Sequence, residues 1–399
     1  MSFTANDDIV QKMIPVFEKE FGVKPEYAGR APGRVNLIGE HIDYCGFSVF
    51  PMALEGKYTT ALLAKNESGI IRIRNLDSNL KDSDVKVNSS KLEGSGWVQY
   101  VESAVKTFLE LFNRKVGGLD VLIFGNVPLA SGLSSSAALL CAIAMGLDLM
   151  TGGGADKGKL VESCVEAEHR VGVMCGGMDQ AISILGEKDH ACVISFVPKI
   201  AARPVKLPPA HFVVAHSGVA AAKLATADDC YNRRVEEVRR AAELMMPSAK
   251  TIGDVVSKYG WEGAMDLAKK LPEREGKLVL RDRAVHVVGE AHRVLEMDGA
   301  SLEEWGNLMK ESHASCRDLY KCSCEALDAL VETGLKNGAL GGRLTGAGWG
   351  GCTVFILSPD SDPSKFIEAV KKQFYSPRGV KDPIIFATNA GEGAQAFKF

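Results

Sequence analysis

Four ionisable side chains crowd one short apolar run. Arg34, Glu40, His41 and Asp43 all fall within "GRVNLIGEHIDYCG", residues 33–46. Taking a charge out of water costs several kcal/mol unless it finds a partner, so charges are seldom placed in apolar runs without reason. Two readings stay open: a solvated turn behind a strand, or a polar site built on a strand end.

A second stretch, "NVPLASGLSSSAALLCA" at 126–142, can hold phosphate. A strand pattern ends at Pro128, a Gly/Ser loop follows, and three serines open an apolar helix. That order gathers backbone N–H groups and the positive end of a helix dipole at one spot. Gly132 lets the backbone approach a ligand closely. Ser134, Ser135 and Ser136 add hydroxyls for phosphate oxygens or a metal. Serine also caps helices, so these residues alone leave a simple helix N-cap as the alternative.

Other motifs carry less. "GGADKGKL" at 153–160 fits GxxxxGK but follows a helix, and Leu160 stands where a P-loop has Ser or Thr. "GAGWGG" at 346–351 fits GxGxxG but leads into a strand pattern, "CTVFIL", where the dinucleotide fingerprint opens a helix. His313, Cys316, Cys322 and Cys324 lack the paired knuckles of a structural zinc site and read as buried thiols.

Composition sets the frame for these sites. The chain has 399 residues, enough for two or three domains, with 46% hydrophobic and 24% charged side chains. A formal net charge of −3 offers no basic footprint for nucleic acid. The longest apolar run, 137–150, is too short to span a bilayer and contains Asp148. The first residues lack a secretory pattern, and ten scattered cysteines suggest reduced thiols. A cytoplasmic protein with no membrane partner is expected.

Elements must position the polar stretches. Helical spacing runs over 8–20 around Pro15, over 98–112, and over 137–150 and 159–171 with a glycine turn between them. Strand patterns occupy 58–65, 70–76 and 118–128, the last with alternating faces, and then 190–196 and 211–218. The proline-bearing stretch 204–211 reads as a domain seam. Residues 232–335 read as mostly helical, with a polar, weakly ordered stretch near 246–276; strands return at 353–358 and 384–389. Strand runs and helix runs segregate, so the expected class is α+β: two lobes, 1–205 and 206–399, with mixed sheets and a cleft between them.

At this point the chain resembles a family. "PLASGLSSSAA" is similar to the second signature of the GHMP small-molecule kinases, and "LTGAGWGGCTV" at 344–354 to their third, which supports the phosphate loop. "GRVNLIGEHIDYCG" resembles the signature of the galactokinase branch, and "AEHRVGVMCGGMDQ" at 167–180 the segment carrying that branch's catalytic Asp. "SHASCRDLYKCSCEALD" at 312–328 also has a counterpart there. The likeness covers nearly the whole chain.

The resemblance implies ATP- and Mg²⁺-dependent phosphorylation of the anomeric C1 hydroxyl of galactose. It assigns Asp179 as catalytic base, or as the group that orients the hydroxyl, with Arg34 paired to it. Glu40, His41, Asp43 and Tyr231 would contact the sugar, together with Arg34 and Asp179. Ala130, Ser131, Gly132, Leu133, Ser134, Ser135 and Ser136 would wrap the triphosphate, with Lys223 near the nucleotide. Ser136 and Glu168 would bind Mg²⁺. A small-molecule sugar is the only partner implied, and a monomer is expected. Ile42, Cys45 and a one-residue-shorter 167–180 segment look like the N-acetylgalactosamine kinase branch, whereas Tyr231 matches galactokinases. Galactose is therefore the first expectation, N-acetylgalactosamine the second and arabinose a distant third. A non-catalytic galactose sensor is the reading from another class, and it is disfavoured because every chemical position is filled.

Overall fold

The computed structural model describes residues 3–221 and 229–399. The first half runs α1 (Asp8–Phe21), β1 (Tyr27–Ile38), β2 (Phe50–Lys65), β3 (Ile70–Asn75), β4 (Ser83–Lys86), α2 (Trp97–Leu111), β5 (Leu119–Gly125), α3 (Ser135–Met150), α4 (Lys157–Val171), α5 (Met178–Leu185), β6 (His190–Ser195) and β7 (Ala201–Lys206). Then follow β8 (His211–His216), α6 (Tyr231–Met245), α7 (Ile252–Lys270), the short pair β9 (Arg274–Glu275) and β10 (Leu278–Val279), α8 (Arg281–Met297) and α9 (Leu302–Ser315). The chain closes with α10 (Glu325–Lys336), β11 (Gly341–Leu344), β12 (Cys352–Leu357), α11 (Pro363–Val370), β13 (Ile385–Thr388) and β14 (Gln395–Lys398).

The class is α+β with mixed sheets. The first sheet has the order β14-β1-β2-β5-β3-β4, antiparallel except for the parallel pair β3–β5. A second, antiparallel sheet has the order β11-β12-β8-β13, and β6–β7 form a separate ribbon. The expected boundary at 205/206 falls at the end of β7, just ahead of the first strand of the second sheet. β14 returns to pair with β1, Tyr27 opposite Lys398, so the last strand belongs to the first sheet.

Helices cover both faces of the first sheet. α1 packs Val10, Met13 and Phe17 against Ala28, Leu62 and Leu122, while α2 and α3 lie on the other side. β5 is therefore buried from Leu119 to Ile123 without the alternation expected of a half-exposed strand. The stretch near 246–276 is ordered, contrary to its polar appearance. Thr251 and Asp254 form a capping box that starts α7, and Ile252, Val255, Ala264 and Ala268 supply a buried face against α8.

α3 is apolar almost all round because it crosses the sheet inside the core. The crossing is close: a Cβ on Gly29 of β1 would lie 2.0 Å from the Ala142 carbonyl oxygen of α3. This contact fixes where the helix points its serine-bearing N-terminus. "GGADKGKL" covers the end of the turn from α3 to α4 and the first residues of α4, and "GAGWGG" lies in the loop between β11 and β12.

Candidate active site

The end of β1 meets the N-terminus of α3 and the first turn of α5. The pairing of β1 with β2 slips between Pro32 and Arg34, an irregularity of the kind that re-aims a side chain. Arg34 is 3% exposed; its Nε and Nη2 donate to Asp179 Oδ1 at 2.8 and 2.7 Å, and its Nη1 donates to the Gly132 carbonyl at 2.6 Å. One guanidinium thus joins the carboxylate of α5 to the loop before α3. Asp179 sits in the first turn of α5, where the helix dipole complements a negative charge.

The serine loop is held in an unusual backbone shape. Ala130, Gly132 and Ser134 all have positive φ, at 49°, 75° and 60°. Ser134 occupies the N-cap position of α3 but makes no capping hydrogen bond, and its buried Oγ has no partner among the described residues. The helix-cap alternative therefore fails for this serine. An unpaired buried hydroxyl costs about 1–3 kcal/mol, a penalty that a ligand at this spot would relieve. The glycine-rich loop after β11 packs on the back of the serine loop: a Cβ on Gly346 would lie 2.4 Å from the Gly132 oxygen.

Ser136, in the first turn of α3, donates from Oγ to Glu168 Oε1 at 3.2 Å across to α4. Glu168 is fully buried and also accepts from Gln180 of α5 and, at 3.6 Å, from the Cys175 thiol. Two hard oxygen donors so placed suit a small divalent cation that takes its remaining ligands from phosphates and water. Among the described residues no cluster of three or more His, Cys, Asp or Glu offers a self-sufficient metal site.

Beyond Ile38 the chain reverses, with Gly39 at φ 103° and His41 at φ 62°. Glu40 accepts from the Gly346 N–H at 2.9 Å and from Arg343 Nη1 at 3.2 Å. Burial raises the Glu40 pKa, and the cations Arg343 and Arg34 oppose that rise. The His41 Nε2 lies 2.8 Å from the Ala347 carbonyl, which can only accept, so this nitrogen carries a proton. Its Nδ1 meets the Tyr44 hydroxyl at 2.7 Å, and Tyr44 meets Tyr320 at 2.9 Å. Asp43 accepts from the Met178 N–H at 3.3 Å, and Tyr231 opens α6 with its ring 5.4 Å from that of His41.

A cavity of about 470 Å³ collects these groups. Arg34, Glu40, His41, Asp43, Asp179 and Tyr231 line it, with Ala130, Ser131, Gly132 and Ser134 to Ser136. Leu133 is buried behind the loop, and Glu168 stands behind Ser136. Lys223 lies outside the described residues. The charged stretch is thus a polar site on a strand end and not a solvated turn: Arg34, Glu40, His41 and Asp43 are all buried at the cavity wall.

Sequence reasoning missed an apolar wall of Trp97, Tyr100, Leu129 and Leu139. Trp97 and Tyr100 stand one helical turn apart and only half-buried on α2, a signal that reads as ordinary amphipathic helix. A neighbouring cavity of about 490 Å³ shares Trp97, Leu129, Ser135 and Leu139 and continues to Asn75 and Leu76. Of the set His313, Cys316, Cys322 and Cys324, the first three are buried among their own neighbours, whereas Cys324 is only half-buried, unlike the buried thiol expected. His313 accepts from the Leu344 N–H at 3.3 Å, and the Cys322 thiol donates to the Cys316 carbonyl at 3.6 Å.

Residues 15–64 match the galactokinase galactose-binding signature, 99–187 the N-terminal domain of GHMP kinases and 296–376 their C-terminal domain. The galactokinase of Saccharomyces cerevisiae is 34% identical, over 92% of this chain and 88% of its own length. The chain belongs to the galactokinase family of GHMP kinases. The human galactokinase is 32% identical, over 87% of this chain and 88% of that protein. The crystal structure of Lactococcus lactis galactokinase complexed with galactose is similar with a TM-score of 0.84 and 29% identity, covering 97% of this chain and 99% of that one. A mevalonate kinase structure shares the fold, with a TM-score of 0.62 and 18% identity. Membership makes this chain an ATP-using sugar kinase. Among the described residues no helix is long and apolar enough to cross a membrane.

Proposed function

We propose that the chain transfers the γ-phosphoryl group of ATP to the anomeric C1 hydroxyl of galactose. The observation that carries this reading is the Arg34 bridge, which links Asp179 to the Gly132 carbonyl of the serine loop within 2.6–2.8 Å. A carboxylate that can receive or orient a hydroxyl proton is thereby coupled to a phosphate cradle. Phosphoryl transfer needs chiefly that positioning and a field for the developing charge, and the Arg34 guanidinium supplies one.

Glu40, His41, Asp43 and Tyr231 form the sugar end of the cavity in this reading, with Arg34 and Asp179 where sugar and phosphate meet. Carboxylates accept from two hydroxyls at once and so read hydroxyl stereochemistry. The N–H groups and hydroxyls of residues 130–136 hold the triphosphate, and the wall of Trp97, Tyr100 and Leu139 suits a nucleobase. Lys223 is assigned near the nucleotide from the family pattern alone. Ser136 and Glu168 would hold Mg²⁺, which when bound neutralises phosphate charge. The two lobes are taken as 1–205 and 206–399, with β14 lent back to the first. A cytoplasmic monomer with no membrane or nucleic-acid partner completes the reading.

Purified protein with ATP and Mg²⁺ is expected to phosphorylate galactose first in a panel with N-acetylgalactosamine, arabinose and glucose. A metal chelator in excess should abolish turnover. No phosphorylation of any sugar overturns the enzyme reading; preference for the acetamido sugar moves the substrate to N-acetylgalactosamine.

The unpartnered Ser134 hydroxyl gives a second test. Ser134→Ala is expected to raise the KM for ATP about tenfold, the worth of one hydrogen bond to a charged group, with the sugar KM within about twofold. Thermal stability should hold or rise, because the substitution removes a buried orphan hydroxyl. Unchanged ATP kinetics would take Ser134 out of the triphosphate site.

A further inference from the structure

Glu290 of α8 lies outside the cavity, yet it grips the turn that presents Glu40 and His41. Its Oε1 accepts from the Gly39 N–H at 2.8 Å, the Glu40 N–H at 3.2 Å and the Ser312 hydroxyl at 2.6 Å. Its Oε2 accepts from Arg293 Nε and Nη2 at 3.0 and 2.8 Å. Glu290 is fully buried, and a lone buried carboxylate would be strongly disfavoured. Here three N–H or O–H donors and a guanidinium offset the burial.

The surroundings form a line of alternating charge. Arg293 pairs with Glu290; Arg343, also fully buried, reaches toward Glu290 at 3.8 Å and donates to Glu40 at 3.2 Å. Burial would raise the Glu290 pKa, but Arg293 and Arg343 more than reverse it and keep the carboxyl ionised. The neighbouring His286 is pushed down to about 4 by burial and stays neutral, with Nε2 against the Glu40 carbonyl at 3.2 Å.

The turn itself gives this grip a purpose. Gly39 and His41 both have positive φ, so the chain reverses through conformations that side-chain-bearing residues rarely adopt alone. Two successive N–H groups converge on one carboxylate oxygen, an anion nest that holds such a shape. Glu40 is then fixed twice: its backbone by Glu290, and its side chain by Arg343 and Gly346. We propose that Glu290 is a positioning residue for the sugar substrate, setting the Glu40–His41 turn through the backbone without touching the sugar. This rests on the reading of that end of the cavity as the sugar site.

The test is steady-state kinetics on the full chain with Glu290→Gln, Glu40→Gln and the double variant. In Glu290→Gln the new amide keeps an acceptor oxygen but loses the charge that Arg293 and Arg343 need. The sugar KM is expected to rise about twentyfold with the ATP KM within twofold, and the double variant should fall well short of the product of the two single effects, because both act through the placement of Glu40. An ATP KM that moves as far as the sugar KM, or effects that multiply in the double variant, overturns the proposal. If Glu290→Gln does not fold, Ser312→Ala serves instead, with a three- to fivefold rise in sugar KM alone; an unchanged sugar KM there also overturns it. The sugar KM of Glu40→Gln alone reports on the sugar-site reading, whereas the sugar KM of Glu290→Gln reports on Glu290.

Discussion

Asp179→Asn is expected to lower kcat about a thousandfold while leaving the sugar dissociation constant within about threefold. A positioned acid or base contributes about 10²–10⁴ in rate, and Asp179 is the carboxylate that Arg34 ties to the phosphate loop. Asparagine keeps one oxygen that can accept from Arg34 Nε and Nη2, so the guanidinium retains a hydrogen-bond partner. What disappears is the negative charge, and with it both the proton acceptor and the electrostatic counterweight to Arg34. Removing that partner outright would cost more in stability, since a buried pair broken on one side loses about 3–5 kcal/mol. Single-turnover kinetics and calorimetric sugar binding on the same preparation separate the two quantities. A kcat within tenfold of wild type would exclude Asp179 from the reacting centre. Equal losses of rate and sugar affinity would make it a binding group alone.

The residues that line the cavity were largely legible in the chain, and the groups behind them were not. Arg34, Glu40, His41 and Asp43 stood out because charge in an apolar run demands an explanation. The serine loop stood out because glycine and hydroxyls precede an apolar helix. Asp179 and Glu168 carried no such signal: each sits on an ordinary amphipathic pattern, and only the family likeness singled them out. Glu290 and Arg343 carry no local signal, yet both are fully buried and partnered with segments about 250 and 300 residues away in sequence. No local pattern encodes such pairing, because it depends on how α8 and β11 pack against the end of β1. The same limit explains the apolar wall on α2, whose aromatics have the spacing of a core face. It also explains α7, whose polar surface hid a capped helix, broken by a kink at Gly260, with buried residues on both sides of the kink.

Gly346→Ala is the second large effect, expected to lower kcat/KM at least a hundredfold and the Tm by several degrees. The position has φ +81°, where a side chain costs about 1–2 kcal/mol. The added methyl would also sit 2.4 Å from the Gly132 carbonyl oxygen, and overpacking of this kind costs about 1–3 kcal/mol. Main chain cannot swing aside as a flexible side chain would, so one loop must move. Either movement reaches the site: the Gly132 oxygen accepts from Arg34 at 2.6 Å, and the Gly346 N–H donates to Glu40 at 2.9 Å. A single methyl therefore disturbs the phosphate cradle and the proposed sugar end together, and the KM for both substrates should rise. Gly338→Ala provides the control, since it has φ +96° but nothing within 4 Å of the added carbon. That variant should lose stability from backbone strain alone and keep its kinetics. If Gly346→Ala likewise keeps kcat/KM within threefold of wild type, contact between the two glycine-bearing loops has no part in forming the site.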